Sequence, residues 1–326
     1  MEKDVYRVLK RPKRDGAGTV IFSIVGNEMY FLPHFLEHYR NLGIQEFCFL
    51  VDTSDDGTLE YLMEQEDCWV LESDIQFGDR VRIVHGDRKH EKRFGTAAKF
   101  LIPKALFQGR WVLTVDADEF LVLPQPSTTI PELIERLEGN GLNCCRALMV
   151  DFFPTTLTAL DKNDSSASPF SLNPFYDVVF IEWQNKSPEP ERVIFEMEVR
   201  TRLYIKMMAD LPEQAQELGQ IGGVRINKVP LLKWSHRTVV TGAHTSNHLP
   251  DNRVQVAFAH FKFFPGWKQK VDDAIKREQY YNASSKYKAL KLAYEQLGDW
   301  PLEGPWSRKF VAPESLERSG LVFDRL

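Results

Sequence analysis

Short apolar runs rich in β-branched residues alternate with stretches whose apolar positions recur at helical spacing along the first part of the chain. TVIFSIVG (Thr19 to Gly26) predicts a first strand, closing in a turn at Gly26, Asn27 and Glu28. Phe31, Phe35, Tyr39 and Leu42 then mark a helix, with Pro33 acceptable only in its first turn. EFCFLVD predicts a second strand ending in TSDDGT, and Leu59, Leu62 and Met63 a helix after it. VRIVHG reads as a third strand, TAAKFLIPKALF as a helix kinked near Pro103, and WVLTVD as a fourth strand. This βαβαβαβ order predicts an α/β fold, Rossmann-like, with a mostly parallel central sheet flanked by helices. Ligands of such sheets bind beyond the carboxyl ends of the strands. Polar clusters fall at all four expected ends: Gly26 to Glu28, Asp52 to Thr58, Gly86 to Arg93, and Asp116 to Glu119.

The pattern loosens from about residue 143. CCRALMVDFF and FYDVVFIEW read as strands, and LDKNDSSASP and WQNKSPEPER as loops. VQVAFAHFKFFPGW is strand-like, and helical spacing resumes at Trp267, Val271 and Ile275. The expected division is an extension over 1–18, a Rossmann-like half over 19–142, a second half over 143–266 and a helical tail over 267–326.

Composition narrows the function classes. The 326 residues, 43% hydrophobic and 27% charged, can bury a full core, and a net charge of -5 argues against a nucleic-acid binder. Four cysteines without CxxC spacing suit a reducing compartment and disfavour structural zinc. With no signal-peptide or membrane-spanning run, a cytoplasmic protein is expected.

The stretch WVLTVDADEFLVLP puts three carboxylates into four residues between apolar runs. Acids are rarely buried unless they are paired or bind something. In an extended segment Asp116 and Asp118 share a face, and two such acids suit a hard divalent ion, Mg²⁺ or Mn²⁺, that also binds substrate phosphates. The plain alternative is a solvated strand end.

WVLTVDADEFLVLP, with IVGNEMYFLPHFLEHYRNLGIQEFCFLVDTSDDGT upstream and GAHTSNHLP and AHFKF downstream, resembles the family 2-like glycosyltransferases, in the branch with a tryptophan-led strand followed by Asp-x-Asp-Glu-Phe. The resemblance spans roughly Thr19 to Trp267. It implies a GT-A fold whose first half binds a nucleotide sugar, UDP-sugar favoured, and whose second half faces the acceptor. It implies metal-dependent transfer, with inversion, of a sugar to a hydroxyl of a saccharide or glycolipid, as in polysaccharide biosynthesis. The metal motif falls on Asp116 and Asp118, with Glu119 beside them, and the nucleoside loop on Asp52 to Thr58, which makes Asp52 the expected contact to base or ribose. Val51 stands where the usual pattern has a further Asp, and the family's Glu-Asp base pair has no clear counterpart.

The remaining donor-side candidates are Glu28, Arg93, Lys99 and Lys262, with Asp116 touching the nucleotide through the ion. His260, on an inward-facing alternation, and His244 are candidate further metal ligands; a core histidine is the plain reading. Asp151 is the first choice for the base, ahead of Glu119 and Asp177. His34 and His38, four apart on a helix, lack an HExxH pattern and read as one surface and one packed residue. Eight Lys and Arg against three acids between Lys262 and Lys291 make a basic helix that either packs with a solvated charged face or lies peripherally on the inner face of a membrane. A nucleotidyltransferase, and a non-catalytic protein binding nucleotide sugar or glycan, are the alternative functions.

Overall fold

Strands and helices alternate from Val20 to Glu72. The computed structural model describes residues 5–13, 18–85, 88–162, 166–178, 181–183, 192–195, 198–217, 224–240, 246–277 and 281–326. The order begins β1 (Arg7–Lys10), β2 (Val20–Val25), α1 (Leu32–Asn41), β3 (Glu46–Val51), α2 (Thr58–Glu64), β4 (Cys68–Glu72), β5 (Arg80–His85), β6 (Arg88–Arg93) and α3 (Phe94–Leu106). It continues with β7 (Trp111–Thr114), β8 (Glu119–Val122), α4 (Ile130–Gly139), β9 (Cys144–Phe153), α5 (Pro169–Leu172), β10 (Phe175–Asp177), β11 (Ile181–Trp183), β12 (Arg192–Phe195), α6 (Val199–Asp210) and α7 (Pro212–Glu217). The last elements are β13 (Val224–Arg225), β14 (Asn227–Lys233), β15 (Val254–Phe261), α8 (Trp267–Arg277), α9 (Tyr281–Leu297), β16 (Ser307–Lys309), α10 (Glu314–Arg318) and β17 (Phe323–Asp324). The chain divides into two units, one of Met1–Leu148, Lys228–Ala257 and Val322–Leu326, the other of Met149–Asn227 and Phe258–Leu321.

The first unit is α/β, with a mixed sheet whose central strands β4, β3, β2 and β7 are parallel and lie in that order. β1 runs antiparallel along β4, so the segment ahead of residue 19 contributes an edge strand, and β14 runs antiparallel along β7. The register pairs Val20 with Glu46 and Val25 with Val51, which brings the carboxyl ends of β2 and β3 level. Phe22, Cys48, Leu50, Leu71 and Val112 form its core together with Trp234. Inside it, the carboxylate of Glu46, 2% exposed, accepts from Arg110 at 2.7 Å and from Trp69 Nε1 at 2.8 Å.

One strand differs from expectation. The third parallel strand is β4, CWVLE, whereas VRIVH is β5, which pairs antiparallel with β6 in a separate hairpin. The physical reason is legible in the composition: a continuous apolar run suits a strand covered on both faces, while R-V-R-I alternation suits an antiparallel pair. The polar cluster from Gly86 to Arg93 therefore includes a hairpin strand and is not a strand-end loop of the parallel sheet.

In the second unit, β10 pairs antiparallel with β9 and β16, Phe175 lying opposite Phe153 and Lys309. FYDVVFIEW, expected as one strand, supplies β10 and also β11 of a small antiparallel sheet with β12 and β13. Phe152, Phe170, Phe261 and Phe310 form an aromatic core with ring centroids 5.0 to 5.8 Å apart. The basic stretch forms α8 and α9; Trp267, Val271 and Ala274 are buried, and Lys268 and Lys291 pair with Asp161 and Asp272. The region after residue 267 also carries β16 and β17. All four cysteines are free and buried. Among the described residues no helix is long and apolar enough to cross a membrane.

Helix α1 fixes the start of β8, the strand that follows the acidic motif. The Tyr39 hydroxyl donates to the Glu119 carbonyl at 2.9 Å and accepts the Leu121 N–H at 3.1 Å. His38 Nε2 donates to the Leu121 carbonyl at 2.9 Å, and burial pushes its imidazole down to about 4. A depressed histidine keeps its stabilising effect above the unfolded value near 6.5 and loses it as pH falls, because the unfolded chain takes up a proton that the native ring refuses. Thermal stability should therefore fall between pH 6.5 and about 4 and fall less in His38→Gln, with His34 and His248, also lowered by burial, supplying the remainder. Melting curves by circular dichroism across that window check it; identical slopes in wild type and variant would contradict it.

Candidate metal and nucleotide site

The carboxyl ends of β2 and β3 carry loops that are bonded to one another. Asn27 sits in the left-handed region at φ 55°, where its short amide is tolerated, and exchanges hydrogen bonds of 2.8 Å with Asp55. The Glu28 N–H donates to Thr58 at 3.0 Å, and the Met29 N–H to Asp56 at 2.9 Å. Asp55 and Asp56 thus hold the loop, and Asp52 is the acid placed differently. Its backbone N–H donates to the Val25 carbonyl at 2.8 Å, and its Oδ1 accepts from the Phe77 N–H at 3.5 Å. Asp52 lines a small cavity of about 10 Å³ with Ile24, Leu50, Ile75 and Phe77, closed by Phe94 and Gly95 at the start of α3. A Cβ on Gly95 would lie 2.1 Å from the Phe77 ring, so only glycine permits that approach. Arg93 is the residue ahead of α3, at its N-cap.

The acids after β7 lie in a turn rather than the extended segment expected, since the Glu119 N–H donates to the Asp116 carbonyl at 3.1 Å. The turn separates their environments: the Asp116 side chain is 37% exposed, whereas Asp118 is 7% and Glu119 1% exposed. Two lysines compensate. Lys99 Nζ lies 2.5 Å from Asp116 Oδ1, and buried Lys228 pairs closely with Glu119 and stands 3.7 Å from Asp116 Oδ2. Glu119 also accepts the Asp116 N–H at 3.3 Å. Burial works against ionisation of Asp116, but Lys99 and Lys228 outweigh it and hold the carboxyl well below the usual carboxylate range. Burial likewise works against the charge on Lys228, and Glu119, Asp116 and Asp118 hold it above its ordinary value. Three carboxylates against two ammonium groups leave an excess of negative charge and an all-oxygen acceptor set, which suits a hard divalent cation.

In the second unit a buried cluster surrounds Asp151. His260, 3% exposed, turns Nδ1 to Asp151 Oδ1 at 2.5 Å, and Arg200 donates to Asp151 Oδ2 at 2.5 Å. Burial would raise Asp151, but Arg200 and His260 hold it far below the usual range. Arg200 also reaches Glu198 at 3.3 Å; burial pushes that carboxyl well up against the pull of Arg200, with the Asp151 charge adding to the rise. Asp177 accepts from Arg202 Nη2 at 2.9 and 3.0 Å, from Arg202 Nε at 3.2 Å and from the Ser307 hydroxyl at 2.7 Å, an arrangement that ties β10 to α6. Lys262 lies on the chain just after β15 and is partly buried. His244 lies outside the described residues.

Of the residues singled out from sequence, the first unit thus gathers Lys99, Asp116, Asp118 and Glu119, and the second joins Asp151 to His260. Lys228, Arg200 and Glu198 were not anticipated. Lys228 has a weak sequence signal, a cation directly ahead of the apolar run VPLL, while nothing local marks Arg200 or Glu198. The chain matches no family model and no curated protein.

Lys228 is buried with Glu119, so Lys228→Met should destabilise the fold by about 3–5 kcal/mol, the cost of stranding a buried charge. The double variant Lys228→Met/Glu119→Gln should recover most of that loss, since the stranded charge goes with it. Urea unfolding at pH 7 measures both; equal loss in single and double variants would contradict the pairing.

Proposed function

We propose that the chain is a glycosyltransferase of GT-A type that moves a sugar from a nucleoside diphosphate sugar to a hydroxyl of a saccharide or glycolipid acceptor, with Mn²⁺ or Mg²⁺ bound. The observation that carries the reading is the rim of the first unit, where the loop bearing Asp52 and the turn Asp116 to Glu119 both follow the carboxyl ends of parallel strands. Asp52 would receive the ribose or base. Asp116 and Asp118 would hold the cation, which when bound supplies positive charge to the leaving diphosphate. Lys99 can then exchange its carboxylate partner for a phosphate oxygen. Lys228 remains with Glu119 and keeps the turn folded.

The proton acceptor belongs to the second unit on this reading. Asp151 has both oxygens engaged, and it acts best through His260: in a neutral ring whose Nδ1–H is held by a carboxylate, the lone pair is on Nε2. That atom suits either a metal ligand or a base. Asp177 is held by Arg202 and Ser307 and serves the fold.

A thermal-shift series with UDP- and GDP-sugars, with and without Mn²⁺, tests the reading. A rise in melting temperature that requires nucleotide and metal together is expected, and Asp118→Asn should lose it. Free nucleoside diphosphate is the expected product; pyrophosphate would identify a nucleotidyltransferase, and binding without turnover a non-catalytic protein. No shift with any nucleotide would overturn the proposal. In His260→Ala, a weaker metal-dependent shift identifies a ligand, and an unchanged shift with lost turnover identifies a base.

A further inference from the structure

Helices α6 and α9 of the second unit pack together but do not close the space they share. Arg200, Leu203, Tyr204 and Met207 of α6, and Lys286, Ala289, Leu290 and Ala293 of α9, line one cavity at successive helical spacings. Its volume is about 110 Å³, of the order of the engineered cavity of about 150 Å³ that takes up a benzene ring. Two of the four α9 positions are alanine, where larger side chains would fill the gap.

Polar groups gather on this apolar lining. Glu198, Arg200, Lys262 and Lys286 all reach the cavity. Arg200 is committed to Asp151 and Glu198. Glu198 is 4% exposed, and its Oε1 has no hydrogen-bond partner among the described residues. Among the described residues none forms a hydrogen bond or ion pair with Lys286, and burial, with the Arg200 charge adding to it, lowers its pKa. An ammonium lacking an acceptor beside an apolar chamber is costly unless a ligand satisfies it.

We propose that this cavity binds a small amphiphilic anion, a single aromatic ring or short alkyl group bearing a carboxylate or a phosphate monoester. The apolar body lies against Leu203, Met207 and Leu290, and the anionic head accepts a hydrogen bond from Lys286.

Calorimetric titration of the full chain with phenylacetate, phenyl phosphate and neutral 2-phenylethanol tests it. One saturable site is expected for at least one anion, binding about tenfold or more tighter than the alcohol, the difference made by one charge-assisted hydrogen bond. Whichever anion binds identifies the head group. Lys286→Met should weaken that binding about tenfold, and Ala293→Phe should abolish it by filling the chamber, with Ala289→Leu in its place if the phenylalanine variant fails to fold. Circular dichroism melts accompany each variant. Absence of saturable binding by both anions, equal binding of the alcohol, or unchanged affinity in a folded cavity-filling variant would overturn the proposal.

Discussion

Lys228 is the constraint on which the acidic rim depends. The turn from Asp116 to Glu119 concentrates three carboxylates, two of them almost fully buried, at the end of β7. Such a cluster is stable only with cations close by. Lys228 supplies one from β14, the strand antiparallel to β7, and Lys99 supplies the other from α3. The sheet topology therefore does electrostatic work. Placing β14 beside β7 delivers an ammonium group to acids more than a hundred residues away in sequence, at Glu119 and Asp116.

Around that centre the loops are held by their own polar groups. Asp55, Asp56 and Thr58 are spent on binding the loop after β2, and Tyr39 and His38 pin the backbone of β8. Side chains placed this way leave little freedom for the residues that would touch a ligand. Asp52, Asp116 and Asp118 are acids on the rim outside these loop-holding bonds.

Much of this was legible in the chain because burial on both faces leaves a continuous apolar run. β2, β3, β7, β9 and β15 were readable for that reason, and the inward face of β15 correctly announced a buried His260. β4 was missed because its five residues follow a polar stretch, while the longer VRIVHG competed for the same place. Local pattern could not show that the acidic motif turns instead of extending, because a turn of this kind carries no glycine or proline signal. Lys228, Arg200 and Glu198 escaped for a different reason: their significance comes from long-range partners, and nothing in their neighbours along the chain specifies those.

The negative excess at the end of β7 should take a divalent cation. Titration of Mn²⁺ into the protein without nucleotide, with the free ion followed by electron paramagnetic resonance, measures this directly. One equivalent should disappear from the free signal with wild type, and the double variant Asp116→Asn/Asp118→Asn, checked to be folded, should leave it undiminished. Equal depletion by both proteins would place any cation elsewhere and contradict the account.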